Sequence, residues 1–539
     1  MIFRMTMMGL LTSLSLGTIE SANAFDKDGE ALRRIHIERV LLISIDGLHN
    51  LDVARFIESH PNSALAELAS HGITYSNAST PANTDSFPGL LALVTGGSPI
   101  SHGVFYDVSY DRNSFDPTNL NCTGAPGNTV VFDESIDQYT AGNVSLDVIN
   151  PKALPRQIDA HGNCVPVYPH SFVKTNTIFE VVKAHGGRTA WADKHPAYDL
   201  VNGPSGHGVD DLYTPEITNV NGFDATASVV CTAENDQKKV NAILNQIRGK
   251  KHDGSPAATV PTIFGMNFQA VSVGQKLAHD NADASCNTSD GNLLRGQSGG
   301  YLDAAGTPSP VLSYGFAKTD AALASMIKAL KTQGIYESTL IVVTAKHGQS
   351  PIDPAKANKP GHFADLVAAL PDAGSNPAAL AIASASNCST GACGFVQDDD
   401  IALIWLQDQS QTAAVSNYLN ANAKALHIEN ILAGNALKLK FNNPLNDSRT
   451  PDLLIQPEYG TIYTTSGKKN AEHGGFSFGD TQVGLIVSNP QWRGRVIKTP
   501  VATSQVAPTI LEVLGIEAES LKAVRIEHTA VLPGLLQAE

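Results

Sequence analysis

The chain has 539 residues, 42% of them hydrophobic and 17% charged, enough apolar material for one large α/β domain carrying insertions. Its formal charge of −15 argues against a nucleic acid duplex as partner, because a phosphate-binding surface needs a basic patch. It leaves room for a small anionic partner.

The first 24 residues read as a signal peptide: Arg4 supplies a charge, Met7 to Leu16 an apolar stretch, and Ala22-Asn23-Ala24 a small-residue cleavage site. No later stretch is long and apolar enough to predict a transmembrane segment, so the expectation is an exported chain, periplasmic or extracellular. Six cysteines suit an oxidising compartment, with free buried thiols as the alternative. Cys388–Cys393, in a Ser/Gly/Thr loop, is the safest pair; Cys122–Cys164 and Cys231–Cys286 follow from order along the chain alone.

Val40-Leu41-Leu42-Ile43-Ser44-Ile45-Asp46-Gly47 reads as a strand buried on both faces of a parallel sheet and ending in a carboxylate. Helices are predicted over 52–70 and from 86 to 94, the second with Pro88 in its first turn, where proline is tolerated. The Asn/Asp/Gly/Pro-rich stretch 108–171 reads as an irregular insertion. Beyond it come a helix over 177–184, a strand over 188–192, a helix over 235–248 and a strand over 262–268. An amphipathic helix follows over 316–333, then a very apolar strand over 339–344. Residues 351–465 break the rhythm and read as an inserted α+β cap, with a strand over 401–406, a helix over 412–423 and strands near Leu437 and Leu453. The core, 39–350, resumes over 466–520 with a strand over 483–488 and a helix over 504–514. Strands alternating with helices predict a mostly parallel sheet covered on both faces.

Four places carry chemistry, each at a strand end or helix start, where sites of open α/β sheets gather. They are Asp46, Asp85-Ser86-Phe87-Pro88-Gly89, Ala345-Lys346-His347-Gly348 and Glu472-His473-Gly474-Gly475. At a helix N-terminus, free N–H groups and the dipole favour an anion at Ser86, although serine there is also the ordinary cap. Aspartate, serine and two histidines at one sheet edge suit a metal-assisted hydrolase with a covalent serine intermediate.

These motifs resemble the type I phosphodiesterase/nucleotide pyrophosphatase family of the alkaline phosphatase superfamily. The ordered set is "LLISIDG", "TDSFPGLLALVTGGSPISHGV", "STLIVVTAKHG", "AEHGGFSFGDTQVGLIVSNP" and "VAPTILEVLGI", spanning 40–516. The resemblance implies a three-layer α/β sandwich of the alkaline phosphatase type. It implies an exported hydrolase of phosphoester bonds, acting on a small phosphorylated substrate with divalent metal, zinc first. Ser86 then holds the place of a threonine nucleophile, Asp46 and His347 ligate one ion together with Ser86, and His473 ligates a second. Asp107 falls where the family often has a phosphate-binding asparagine.

The departures are specific. Lys346 stands where the family has an aspartate, and Val271 and Gln275 stand where a second-metal motif has aspartate and histidine. Valine cannot ligate and glutamine binds zinc poorly, so one ion is expected rather than two. Asp193 and His195, at the end of the strand over 188–192, are candidate substitute ligands. Alternatively Lys194 and Lys346 act as cationic clamps on the substrate. A phosphonoacetate hydrolase of the same superfamily resembles this strand end in its lysines. Two other readings stay open: a catalytically degraded member acting as a binding protein, and a single-metal sulfate or phosphonate hydrolase. The C-x-P-x-R and S-x-P-x-R signatures of sulfatases are absent around Ser86.

Overall fold

The computed structural model describes residues 36–81, 83–137, 148–218, 223–257, 259–388 and 392–535. The expected signal peptide lies outside them.

The long apolar runs form the middle of an eight-stranded sheet. Its strands are β1 (Arg39–Ile45), β2 (Gly72–Tyr75), β3 (Ala190–Ala192), β4 (Asp211–Tyr213), β5 (Ile263–Phe268), β6 (Thr339–Thr344), β7 (Ile486–Ser488) and β8 (Arg495–Ile497). They lie in the order β8-β2-β7-β6-β1-β5-β3-β4. From β6 to β4 every neighbour is parallel; β7 alone runs against the rest. β1, β5 and β6 are buried along nearly their whole length, which is why they read as unbroken apolar runs.

Two groups of helices flank the sheet. Ala64–Ser70, Val229–Ile247, Ala270–Lys276 and Pro310–Thr332 pack together, and Ser86–Thr95, Ile178–Ala184 and Val506–Val513 form the other group. The molecule is therefore a three-layer α/β sandwich with a mostly parallel sheet.

Several elements depart from expectation. The helix over 52–70 is two helices, Asn50–Ser59 and Ala64–Ser70, because Pro61 cannot continue the first. The strand over 483–488 is split at Gly484: Gln482–Val483 pairs with Ala78–Ser79 in a small sheet, and only β7 joins the large one. Leu437 ends a one-turn helix, Gly434–Leu437, and the strand before it is Ile428–Ala433. That strand joins Gly394–Asp398, Ala402–Leu406 and Leu453–Pro457 in a separate antiparallel sheet. One face of this sheet has its own apolar cluster with Phe363, Ile382 and Leu419, and the other packs Trp405 and Leu403 with Phe105 and Tyr110. In the stretch 108–171 two short hairpins form, Val108–Asp111 with Asn128–Val131 and Arg156–Ile158 with Cys164–Pro166. The disulfides are Cys122–Cys164, Cys231–Cys286 and Cys388–Cys393.

His102 is fully buried in the turn Pro99–His102, where its Nδ1 accepts from the Val104 N–H at 3.2 Å. Burial, with Lys174 and Arg449 nearby, pushes its pKa down to about 3. The unfolded chain protonates this ring near 6.5 and the folded chain does not, so between pH 6.5 and about 3 the unfolded state holds the extra proton. Stability therefore falls as pH drops through that window, by up to about 1.4 kcal/mol per pH unit for one such group. Urea unfolding against pH should show a shallower acid-side slope in His102→Gln than in the wild type; equal slopes would mean that His102 titrates normally.

Candidate active site

Four adjacent parallel strands, β6, β1, β5 and β3, end at one edge of the sheet, and each delivers a polar group there. β1 ends before Asp46, β5 carries Asn267 and is followed by Gln269, β3 precedes Asp193-Lys194-His195, and β6 precedes Lys346-His347. The Ser44↔Asn267 register places the Asn267 amide beside Asp46.

Ser86 is the first residue of the helix Ser86–Thr95, and its cap is Asp85, whose carboxyl accepts from the Phe87 N–H at 3.0 Å. The capping role falls to Asp85, and the Ser86 hydroxyl is left for other partners. It lies 3.1 Å from Nε2 of His347 and 3.5 Å from Oδ2 of Asp46. The expectation of free amides at this helix start is corrected: the Phe87 N–H is taken and Pro88 has none. What remains there for an anion is chiefly the dipole.

Gly89 lets this helix reach the strand end. A Cβ on Gly89 would lie 2.3 Å from the Lys346 carbonyl oxygen. Helix and strand end are therefore in backbone contact, which fixes Ser86 against His347.

His347 Nδ1 is 2.8 Å from the Gly348 carbonyl. A carbonyl only accepts, so Nδ1 carries the proton and Nε2 presents its lone pair to the Ser86 hydroxyl. Burial pulls the His347 pKa down to about 4, overriding Asp46. His473 stacks on it with ring centroids 3.8 Å apart, and its own pKa lies well below the ordinary value, through burial and then the adjacent His347 ring, which disfavours a second proton. The segment holding His473 is tied to the residue two before Ser86: Gly474 N–H donates to Thr84 Oγ1 at 2.7 Å, and Thr84 donates to the Gly475 carbonyl at 2.8 Å.

Asp46 is fully buried and crowded with donors. Its Oδ2 accepts from the Gln269 side-chain amide and, at 3.2 Å, from Asn267. Lys194 Nζ stands 3.6 Å away and Lys346 Nζ 3.9 Å. Burial disfavours its charge, but Lys346, His347 and Lys194 prevail and hold the carboxyl well below the usual range. Lys346 has no solvent exposure. Its Nζ lies 3.1 Å from Asp193 Oδ2 and 4.1 Å from the centre of the Tyr198 ring. Asp193 also accepts from Trp191 Nε1 at 3.1 Å. His195 Nδ1 is engaged by Glu216 at 2.8 Å.

A cleft of about 250 Å³ opens over this edge. Ser86, Asp85, Asp107, Lys194, His195 and His473 are on its wall, with Lys276, Lys469 and Glu472. Asp107 Oδ1 accepts from the Val108 N–H at 2.7 Å. Glu472 is bridged by Lys276 at 2.7 Å and by Lys469, and against the pull of burial the two lysines lower its pKa to about 2. Burial, and then Asp107, raise the Asp85 pKa well above the carboxylate range.

The profile of type I phosphodiesterase / nucleotide pyrophosphatase matches residues 40–145 and 301–479. The chain belongs to this family. A comparison with curated protein sequences returns no match. Among solved structures, wild-type alkaline phosphatase PafA is similar at TM-score 0.52 and 11% identity, covering 89% of this chain and 96% of that one. Murine ectonucleotide pyrophosphatase/phosphodiesterase 5 has TM-score 0.48 and 13% identity, with the same coverages. Phosphonoacetate hydrolase from Sinorhizobium meliloti has TM-score 0.49 and 14% identity, again over 89% and 96%. The likeness to PafA establishes an alkaline phosphatase-like fold.

The family's divalent-ion chemistry meets an ill-matched donor set here. Val271 is buried in the apolar core, and Gln275 donates to the Gly47 carbonyl at 2.8 Å and bonds Tyr301 at 3.0 Å. Asp193, expected as a substitute ligand, is paired with Lys346, and His195 with Glu216. Among the described residues no group of three or more His, Cys, Asp or Glu is gathered so as to hold an ion. A cation beside Asp46 would also meet the Lys194 and Lys346 ammonium groups, each costing about 4 kcal/mol per unit charge at 4 Å and an effective dielectric of 20. These residues do not fit a two-ion centre, and the positive charges on Asp46 disfavour one ion.

The site also contains groups that the sequence did not single out: Asn267, Gln269, Tyr198, and the two lysines, Lys276 and Lys469, that bridge Glu472. Gln269 alone left a trace, as a polar residue directly after an apolar strand.

Gly89→Ala should destabilise the protein by about 2 kcal/mol, as overpacking against backbone does, and should slow turnover by shifting Ser86 from His347. Urea unfolding and kcat test this together; a variant of unchanged stability would show that the helix can retreat without cost.

Proposed function

We propose that the protein is an exported hydrolase of phosphoester bonds, of the phosphodiester or pyrophosphate type, acting through a phosphoserine intermediate on Ser86. The observation that carries this reading is the 3.1 Å contact from the Ser86 hydroxyl to a His347 ring kept neutral by burial, with its other nitrogen tied to the Gly348 carbonyl.

Ser86 Oγ attacks phosphorus, its proton passes to His347 Nε2, and the bond to the leaving oxygen breaks in line. The leaving oxygen takes up a proton from solvent, and the His347 imidazolium releases its own to solvent, which restores the neutral ring. Water, deprotonated by the same ring, then attacks phosphorus; the P–Oγ bond breaks and Ser86 recovers its proton. Asp46 Oδ2, 3.9 Å from Nε2, stabilises the imidazolium formed in between. Lys194 is placed to hold the phosphoryl oxygens, and family membership supports the reaction class.

The segment 351–465 acts as a cap in this reading. It contributes Gln397 and Asp399 to the cleft wall and so contacts the part of the substrate beyond the phosphate. Three disulfides support passage through an oxidising compartment. No helix of the described residues is long and apolar enough to cross a membrane.

The test is turnover of bis-p-nitrophenyl phosphate, p-nitrophenyl phosphate and p-nitrophenyl sulfate, with acid quenching to trap phosphoserine. Ser86→Ala should lose at least about a thousandfold in kcat, as removal of a nucleophile does, and the trapped phosphate should map to Ser86. Preference for the sulfate ester would replace the reading by a sulfatase. No turnover of any of the three would sink it in favour of a binding protein.

A further inference from the structure

The charges around Asp46 balance in a way that a metal centre does not. Two buried carboxylates, Asp46 and Asp193, face two ammonium groups, Lys346 and Lys194. Lysine is strongly hydrated, and burying its charge costs several kcal/mol unless it is paired. Here the fold supplies Asp193 at 3.1 Å, Asp46 at 3.9 Å and the π face of Tyr198 at 4.1 Å. Both lysines stand at strand ends of the catalytic edge, and Lys346 directly precedes His347.

We propose that Lys194 and Lys346 together take the place of the divalent ion: the Lys194 ammonium binds the phosphoryl oxygens, and Lys346 holds Asp46 and Asp193 in position behind it. This rests on the Ser86 reading for the site of the phosphoryl group. Lys194 Nζ and Ser86 Oγ both lie near the same oxygen, Asp46 Oδ2, at 3.6 and 3.5 Å. A phosphoryl group attacked by Oγ therefore comes within reach of this ammonium, which is on the cleft wall. Lys346 is sealed from the cleft and acts as a positioning residue. An ion drawn to Asp46 would have to displace an ammonium that already neutralises it. In this arrangement the positive charge that stabilises the transferring group is covalently part of the chain.

The experiment uses the full exported chain, produced with zinc in the medium and then dialysed against a chelator. Metal content is read by mass spectrometry, and equilibrium binding of orthovanadate is measured with and without added zinc, so that the result does not depend on turnover. The expected result is a substoichiometric ion content, before and after chelation, with orthovanadate binding unaffected by zinc. Lys194→Met should weaken that binding by about tenfold or more, the worth of one hydrogen bond to a charged group. In Lys346→Met, compared at equal folded fraction by circular dichroism, kcat for the diester should fall more than KM rises. A tightly held stoichiometric ion, orthovanadate binding only with zinc, or unchanged binding in Lys194→Met would each overturn the inference. Absence of turnover with orthovanadate binding intact would instead overturn the hydrolase reading alone.

Discussion

A buried ammonium must be surrounded by opposite charge, and around Lys346 that requirement organises the site. Its nitrogen sits between Asp193 and Asp46 over the ring of Tyr198. Asp193 comes from the end of β3, Asp46 from the end of β1 and Lys346 from the end of β6, so the pairing joins strand ends on both sides of β1. Each partner depends on the others. Without Lys346, two carboxylates would be buried within a few ångströms of each other; without Asp193, the ammonium would keep only the more distant Asp46. Removing one member of such a buried pair costs about 3–5 kcal/mol, whereas replacing the whole set by apolar residues is often neutral. On that asymmetry stability alone does not account for the set, which agrees with the charge role proposed for Lys194 and Lys346.

The positioning of Ser86 follows from packing and not from charge. Gly89 brings its helix onto the Lys346 carbonyl, and Thr84 binds the loop that carries His473. The same loop is tied to the cap. Asp400 accepts from the Gly475 N–H at 2.9 Å and bonds the Ser350 hydroxyl at 3.3 Å. Burial, with Asp480 beside it, pushes the Asp400 pKa well above its ordinary value. Ser350 precedes the segment 351–465, Asp400 lies within it and Gly475 follows it, so the cap and the histidine pair share one polar joint.

Much of this was legible in the amino-acid sequence, and the remainder was not for identifiable reasons. The strands β1, β5 and β6 are buried on both faces, and an unbroken aliphatic run is the direct consequence. The polar residues directly after two of them, Asp46 and Lys346-His347, marked the edge. Short strands left weaker traces: β7 is three residues long, and Gly484 allows the chain to leave one sheet for another just before it. Asn267 and Gln269 escaped notice because their role comes from register between β1 and β5, which spacing along one chain does not encode. The same holds for Tyr198, whose ring matters only because Lys346 lies above it. The departures themselves were visible. Lys346, Val271 and Gln275 read as breaks in the family's ligand set, and Asp193 as a possible replacement ligand. The structure gives that carboxylate a cationic partner instead. Asp193, Lys194, Val271 and Gln275 all fall between the two segments that match the family profile, whereas Lys346 lies within the second of them.

The cleft wall has to admit an anion although the chain as a whole is acidic. Several of the acids at the site are offset by burial or by lysines. Burial and then Asp107 push the Asp85 pKa up, and burial and then Glu472 push that of Asp399 up, so the ionised form of each is disfavoured. Glu472 stays charged but is held between Lys276 and Lys469. Asp46 and Asp193 are matched by Lys194 and Lys346. Of the lysines on the cleft wall, Lys194 is the one that shares Asp46 Oδ2 with the Ser86 hydroxyl. Long-range attraction cannot gather the substrate, since the formal charge of −15 repels anions at any distance that salt does not screen. In the proposed function, recognition then falls to contacts made within the cleft, at the phosphate by Lys194 and beyond it by the segment 351–465.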